Sequence, residues 1–410
     1  MSTERALERC DALARLSEEE GMITRWYGSE SLVAAADTVA GWMQQAGLEV
    51  RRDAVGNVIG RTGGGPGTFV LGSHIDTVRD AGRYDGPLGV LLAIEAADAV
   101  KGELPFALEV VAFADEEGGR FPLTYLGSRG WAGGLTTQDA ALTNGLGERL
   151  GEAARAVGGD PDSIGTRSAP DDLLGYLEVH IEQGPVLQDE DLPVGIVTAI
   201  AAQSRGIATL VGMAGHAGNT PMHLRRDALA GAAELVLEVE RLAQATDGLT
   251  ATVGWIENQP NVGNVISGRT RVTYDVRHQA EATRDRARDQ LETTARRIAA
   301  GRGLELDWWR RDDLPSVPMS PRLRATLAEA CIQTGTAVRE LGSGAGHDAV
   351  TAARLTSDVA MLFVRCKDGI SHHPDESVRA DDVAAALDVV VRFLGLLAAD
   401  PSGAETRKEQ

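Results

Sequence analysis

Residues 69–118 read FVLGSHIDTVRDAGRYDGPLGVLLAIEAADAVKGELPFALEVVAFADEEG. The segment opens on a short apolar run, 69–73, of the length expected for a buried strand. It continues through a polar, Gly-rich turn into an apolar helix at 88–100. A second apolar run, 107–114, then ends abruptly in three carboxylates. Two buried strands joined through a helix are the repeating unit of an α/β sheet with helices on its faces. The flanking sequence extends the same pattern. Helical spacing is present at 4–16 and 29–46, and β-like runs follow at 48–52 and 57–61, before a Gly-rich turn at 63–67. Further strands are expected at 176–181 and 194–201. A helix near 321–334, a strand at 359–364 and a closing helix at 380–398 complete this part, and 401–410 reads as a polar frayed tail.

Between these parts the pattern changes. A strand at 206–213 precedes an amphipathic helix at 225–242, with Leu229, Ala232, Val236 and Val239 on one face. Strands at 250–256 and 269–277, a helix at 282–300 and a strand near 304–308 follow. The order β-α-β-β-α-β is that of a small open sandwich. We therefore expect a first domain at 1–202 and 316–410, interrupted by a second at 203–315. A length of 410 residues also favours two cores over one.

The net charge of −20 argues against nucleic acid as a partner, because phosphate binding needs a cationic surface. An anionic substrate would need a local positive site. Cys10, Cys331 and Cys366 form no CxxC pair and suggest no disulfide framework, as expected in a reducing compartment. The charged start of the chain has no apolar core of a secretory signal, and no apolar run reaches membrane-spanning length. The expected location is the cytoplasm, away from membranes.

The chemistry concentrates at the ends of the expected strands. In extended chain His74 and Asp76 share a face, so the carboxylate can steady the imidazole while its other nitrogen binds metal. Taken alone, a His–Asp pair capping a turn is at least as common. Asp85, in the turn of GRYDGPLGV, reads equally as a helix N-cap or as a carboxylate between two cations. Asp115, Glu116 and Glu117 are costly side by side unless something positive compensates them, and a metal pair would do so. In that case one Glu is a ligand and its neighbour a general base. His180 ends another strand and His372 follows the last one. Together these residues make a His/carboxylate set suited to Zn²⁺ or Mn²⁺.

At this point the sequence resembles the dinuclear-metal peptidase and amidohydrolase family related to carboxypeptidase G and aminoacylase. It is more narrowly similar to the branch of allantoate amidohydrolases, N-carbamoyl-L-amino-acid hydrolases and β-ureidopropionases. The matching segments are GSHIDTV, GRYDGPLGV, DEEGGRF, HIEQGPVL, GHAGNTPM, RRDA, NVISG, DVRH, SGAGHDA and GISHHPDE. They run in family order from residue 72 to 376. The Gln of HIEQG and the SGAGHD string mark the ureido-cleaving branch.

The resemblance implies a catalytic domain with a central mixed sheet flanked by helices, and an inserted α+β domain serving as lid and dimerisation surface. It implies two divalent ions, Mn²⁺ or Zn²⁺, held by His74, Asp85, Glu117, His180 and His372, with Asp85 bridging. Glu116 would be the general base and Asp76 would orient His74. His216 would polarise the scissile carbonyl, and Asn264, Arg277 and Gln183 would hold a small ureido carboxylate. His347 of SGAGHDA reads either as a substrate contact or, with Asp348, as a helix-capping network. His223, His278 and His373 read as surface residues, His373 being the immediate neighbour of the ligand His372. A homodimer through 203–315 is implied, with His216 and Asn264 as candidates for delivery from the partner subunit. Among substrates, MLFVRCKDGISHHPDE and RFPLTYLGSR are closest to the allantoate subgroup, and N-carbamoyl-L-amino acids come next. Two departures bear on substrate detail: Asn219 stands where relatives usually carry Thr, and Ser267 where they often carry Pro. A binding protein that kept the fold without the activity should have lost a ligand or the base, and here all are present.

Overall fold

The run at 69–73 forms the strand Thr68–His74, and every residue of it is buried. Ala107–Phe113 is equally buried and runs parallel beside it, with His74 level with Phe113. Strands buried on both faces are selected for continuous apolar sequence rather than alternation, which is why these two were legible as unbroken runs. The computed structural model describes residues 2–399; the polar tail expected at 401–410 lies outside them.

Two compact units make up the chain. Among the described residues, one comprises 2–198, Met319–Leu341 and 346–399; the other comprises Ala199–Pro318 and Gly342–Ala345. In the first unit the sheet runs in the order Glu49–Arg52, Val58–Arg61, Ala107–Phe113, Thr68–His74, Leu173–Ile181, Val359–Val364 and Val194–Ile200. The four central strands are mutually parallel and the outer ones antiparallel, so the sheet is mixed. Helix Pro87–Ala99, buried from Pro87 through Ala97, packs on Thr68–His74 and Leu173–Ile181. The helices Glu30–Gln45 and Pro321–Gln333 begin at Ser29 and Ser320, whose hydroxyls accept the N–H of Leu32 and Leu323.

The second unit pairs Ala202–Val211 with Arg269–His278 on one side and Glu305–Leu314 on the other, all antiparallel. Helices Ala228–Gln244 and Glu281–Gly301 pack on this sheet. Its core joins Ala208, Leu210, Val272, Tyr274 and Val276 to Leu235, Val239, Leu291 and Ile298. Asp227 caps the first helix by accepting from Leu229 and Ala230, so that helix starts later than the apolar spacing from 225 suggested. The strand expected at 250–256 divides into Thr250–Thr252 and Ile256–Gln259. Both parts pair with Arg269–His278; at the break Trp255 N–H donates to Thr273 Oγ1 at 3.1 Å, while its carbonyl accepts Thr273 N–H at 3.1 Å. A further two-stranded ribbon pairs Gly215–His216 with Val265–Ile266.

Among the described residues, no helix is long and apolar enough to cross a membrane.

Candidate metal centre

Parallel strands deliver their carboxyl ends to one edge of a sheet, and in open α/β sheets that edge is where ligands bind. Here it gathers four loops: that after Thr68–His74, that after Ala107–Phe113, that after Leu173–Ile181 and that after Val359–Val364. His74, Asp85, Glu116, Glu117, His180 and His372 all come from these segments.

Asp85 is the hub. Its Oδ1 lies 3.1 Å from His180 Nε2 and 3.5 Å from His74 Nε2. Its Oδ2 lies 3.5 Å from His372 Nε2, which is itself 3.1 Å from Glu117 Oε1. Ligand atoms within 4.8 Å of one another form three groups: His74 with Asp85 and His180, Asp85 with Glu117 and His372, and His74 with Glu116 and Glu117. Asp85 belongs to the first two. The turn permits this approach because residue 86 is Gly. Its φ is 82°, and a Cβ there would lie 2.3 Å from the His74 ring. A side chain would meet that clash in addition to the strain of a positive φ that residues with a Cβ rarely adopt.

Hydrogen bonds fix which imidazole nitrogens face the hub. His180 Nδ1 is 2.9 Å from the carbonyl of Ile181, and His74 Nδ1 is 3.2 Å from the carbonyl of Asp76. Donating there leaves both Nε2 atoms as lone-pair donors, facing each other at 3.4 Å. Two such lone pairs with a carboxylate between them fit a divalent cation. The donor set of three imidazoles and two carboxylates, already converged, passes the chemical test for a metal centre. Asp76 also accepts the backbone N–H of Glu116 at 2.9 Å and of Glu117 at 3.2 Å. One buried carboxylate therefore ties the His74 turn to the turn carrying both glutamates.

On the protein groups alone, the electrostatics follow from crowding. Burial opposes ionisation of Asp85, yet His180 and His74 hold its carboxyl well below the usual carboxylate range. Burial likewise opposes charge on His74, but Asp76 and Asp85 raise it well above its ordinary value. Glu116 is pushed well up by burial and by Glu117 beside it. His372 is raised to about 9, chiefly by its hydrogen bond with Glu117. Binding an ion through His372 displaces that proton. His74, raised as well, adds its own proton to that release, so the metal-stripped protein should bind Mn²⁺ at least about tenfold more tightly per pH unit as pH rises from about 7 toward about 9. Equilibrium titration at several pH values reads this slope, and a flat profile would contradict it.

Gln183 adopts a left-handed backbone (φ 55°), and its amide donates to Asp85 Oδ2 at 2.8 Å. Ser371, which the sequence did not single out, hydrogen-bonds the same oxygen. His347 is buried and sets its ring edge-on to His180, with centroids 4.6 Å apart. Burial, reinforced by His180, holds it well below its ordinary value. Asp348 gives the neighbouring helix, Ala349–Ala352, no side-chain cap; Ala349 N–H donates to Glu178 Oε2 at 2.8 Å. His373 lies 3.7 Å from Asp375, so of the adjacent pair it is His372 that reaches Asp85 and Glu117. His223 is exposed and His278 half-buried.

In the second unit, His216 and Asn264 are both exposed and adjacent across the ribbon, where Ala217 N–H donates to the Asn264 carbonyl at 3.0 Å. His216 Nδ1 accepts from Gly218 N–H at 3.1 Å, which leaves the proton on Nε2 as an outward donor. Arg277 makes a two-pronged pair with Asp275, at 2.9 and 2.7 Å, and donates to the Gly344 carbonyl. Spacing of two along a strand places Asp275 and Arg277 on one face. Ser267 is buried and hydrogen-bonded to Asn258 and Thr270, a structural position. Asn219 is exposed in the turn after His216.

Residues 70–395 match the model of peptidase family M20/M25/M40. The chain is 37% identical to the allantoate deiminase of Arabidopsis thaliana, over 95% of this chain and 81% of that one. It is 38% identical to the N-carbamoyl-L-amino acid amidohydrolase of Geobacillus stearothermophilus, over 96% and 98%. A solved hydantoinase/carbamoylase family amidase from Burkholderia multivorans superposes with a TM-score of 0.91 at 31% identity, covering 98% of each chain. With the family model spanning most of its length and full-length relatives above a third identical, this chain is a member of peptidase family M20/M25/M40.

Proposed function

We propose that this chain is a two-metal amidohydrolase that cleaves the carbon–nitrogen bond of a small ureido carboxylate, with allantoate as the favoured substrate. N-carbamoyl-L-amino acids are the alternative, since relatives named for each activity are equally similar. The observation that carries the reading is the convergence of His74, Asp85, Glu117, His180 and His372, with Asp85 common to two ligand groups.

His74, His180 and Asp85 would hold one ion, and Asp85, Glu117 and His372 the other, with Mn²⁺ or Zn²⁺ the expected metal. When bound, such ions polarise a carbonyl oxygen and lower the pKa of water toward roughly 7. Glu116 takes the proton from the attacking water. On the protein groups alone, burial and Glu117 raise its affinity for protons, the direction that suits a carboxylate which must accept a proton and return it. Water oxygen bonds to the ureido carbon, the carbon–nitrogen bond breaks, and Glu116 returns the proton to the departing nitrogen. The carbamate released decomposes to carbon dioxide and ammonia. In this reading His216 donates from Nε2 to the carbonyl oxygen as charge develops there, and losing one such donor costs on the order of a hundredfold in rate. Asn264 and Arg277 hold the substrate, a guanidinium being matched to a carboxylate by two parallel hydrogen bonds. Gln183 and His347 complete the set, Gln183 acting from beside Asp85.

We further assign a homodimer through the second unit, supported by its exposed Met213, Met222, Leu224, Trp255, Ile256 and Trp309. A cytoplasmic location accords with three free, buried cysteines.

The test is ammonia release from allantoate and from N-carbamoyl-L-amino acids at matched concentration with Mn²⁺ added. Allantoate is expected to turn over faster. If the carbamoyl amino acids win, the substrate preference is reversed; if neither yields ammonia, the ureido assignment fails.

A further inference from the structure

Glu376 has no part in the ligand set, yet it is buried at 3% exposure beneath it. Its Oε1 accepts two backbone N–H groups from the opposite loop: Tyr84 at 2.7 Å and Asp85 at 3.1 Å. It also closes its own turn, where Glu376 N–H donates to the His373 carbonyl at 3.0 Å. That turn carries His372. One carboxylate therefore joins the backbone of the hub residue to the loop supplying the ligand that reaches it from farthest along the chain.

The His372 loop needs such a tie. Its side chain is 44% exposed, so packing does not hold it. Its backbone sits at φ 55°, a left-handed conformation that a residue with a Cβ keeps only when its surroundings impose it. The opposite loop is shaped to receive the clamp. At Gly82 a Cβ would lie 2.2 Å from Glu376 Cδ and 2.4 Å from its Cβ, too close for either to remain in place. Gly82 has no positive φ, so room for Glu376, rather than backbone freedom, is what the glycine provides.

We infer that Glu376 is a positioning residue that locks the His372 turn onto the Asp85 turn, and so sets the affinity of the ion shared by Asp85, Glu117 and His372. The inference rests on the two-metal reading above. Outer hydrogen-bond partners of ligands typically govern metal affinity by about 10- to 100-fold. Three variants separate the clamp from its alternatives. Glu376→Ala removes the acceptor. Glu376→Gln keeps an acceptor oxygen and removes the charge. Gly82→Ala leaves Glu376 in the sequence but fills its seat.

The experiment is equilibrium dialysis of the full chain against Mn²⁺, with ions per chain counted by elemental analysis and fold checked by circular dichroism. Wild type is expected to bind two ions. Glu376→Ala and Gly82→Ala should keep the first and bind the second about 10- to 100-fold more weakly, with Glu376→Gln close to wild type. Should Glu376→Ala fail to fold, Gly82→Ala alone decides. The inference is overturned if the folded Ala variants hold the second ion as tightly as wild type, or if Glu376→Gln is as weak as Glu376→Ala, which would make charge and not the clamp responsible. A wild type that binds fewer than two ions overturns the two-metal reading itself, a result distinguishable from either.

Discussion

Glu116→Gln is expected to lower kcat by about 10²- to 10⁴-fold, the range a general base contributes, while the protein keeps its full complement of ions and a KM close to wild type. The expectation needs defending, because Glu116 also shares a ligand group with His74 and Glu117. Two features favour base over ligand. Asp85, not Glu116, is the carboxylate common to the groups holding His180 and His372. Asp76 grips the backbone N–H of both glutamates, so Glu116 and Glu117 are presented from one turn with separate side chains free for separate tasks. Measuring metal content beside kcat decides the matter. Activity lost with ions retained identifies the base; activity lost in proportion to an ion makes Glu116 a ligand. The pH profile gives a second reading. A base must be deprotonated to act, so wild-type kcat should climb with pH along an acidic limb. The Gln variant should lack that limb.

What the sequence made legible follows from how local each signal is. Strands buried on both faces are apolar throughout and end where the polar loop begins, so His74, Glu116, Glu117 and His180 stood out at the ends of recognisable runs. Asp85 was ambiguous with a helix cap, and the structure gives its turn to Gly86 as N-cap without any side-chain cap bond. Glu376 could not be found in this way. Its partners are 291 and 292 residues away, and no periodicity encodes a contact across that separation. Arg25 is similar: a fully buried guanidinium that donates to the carbonyls of Ile75, Leu13 and Leu16, bracing the His74–Asp76 turn from behind. The interruption at 253–255 was equally invisible, because it depends on a hydroxyl, Thr273, that lies on another strand. Arg277 was read for its shape-match to a carboxylate, and alternation along the strand already placed Asp275 beside it. A substrate carboxylate would have to share that guanidinium with Asp275.

Asp85→Ala should abolish activity more completely than any other single change, because it removes both shared ligand groups at once. Asp85 presents Oδ1 to His74 and His180 and Oδ2 to His372 and Gln183. Without it, two buried imidazoles face each other at 3.4 Å with no anion between them. Removing one partner of a buried charged set costs about 3–5 kcal/mol. At about 1.4 kcal/mol per tenfold, each ion should bind roughly 10²- to 4 × 10³-fold more weakly. Two weakened ions compound where Glu116→Gln loses one proton acceptor, so adding excess Mn²⁺ should restore little. The informative comparison is with Glu117→Ala, which leaves the group of His74, Asp85 and His180 intact and should leave one ion tightly held. Elemental analysis after dialysis should therefore find fewer ions on Asp85→Ala than on Glu117→Ala. Equal losses in the two variants would mean that Asp85 serves one ion alone, and the bridging role would have to be withdrawn.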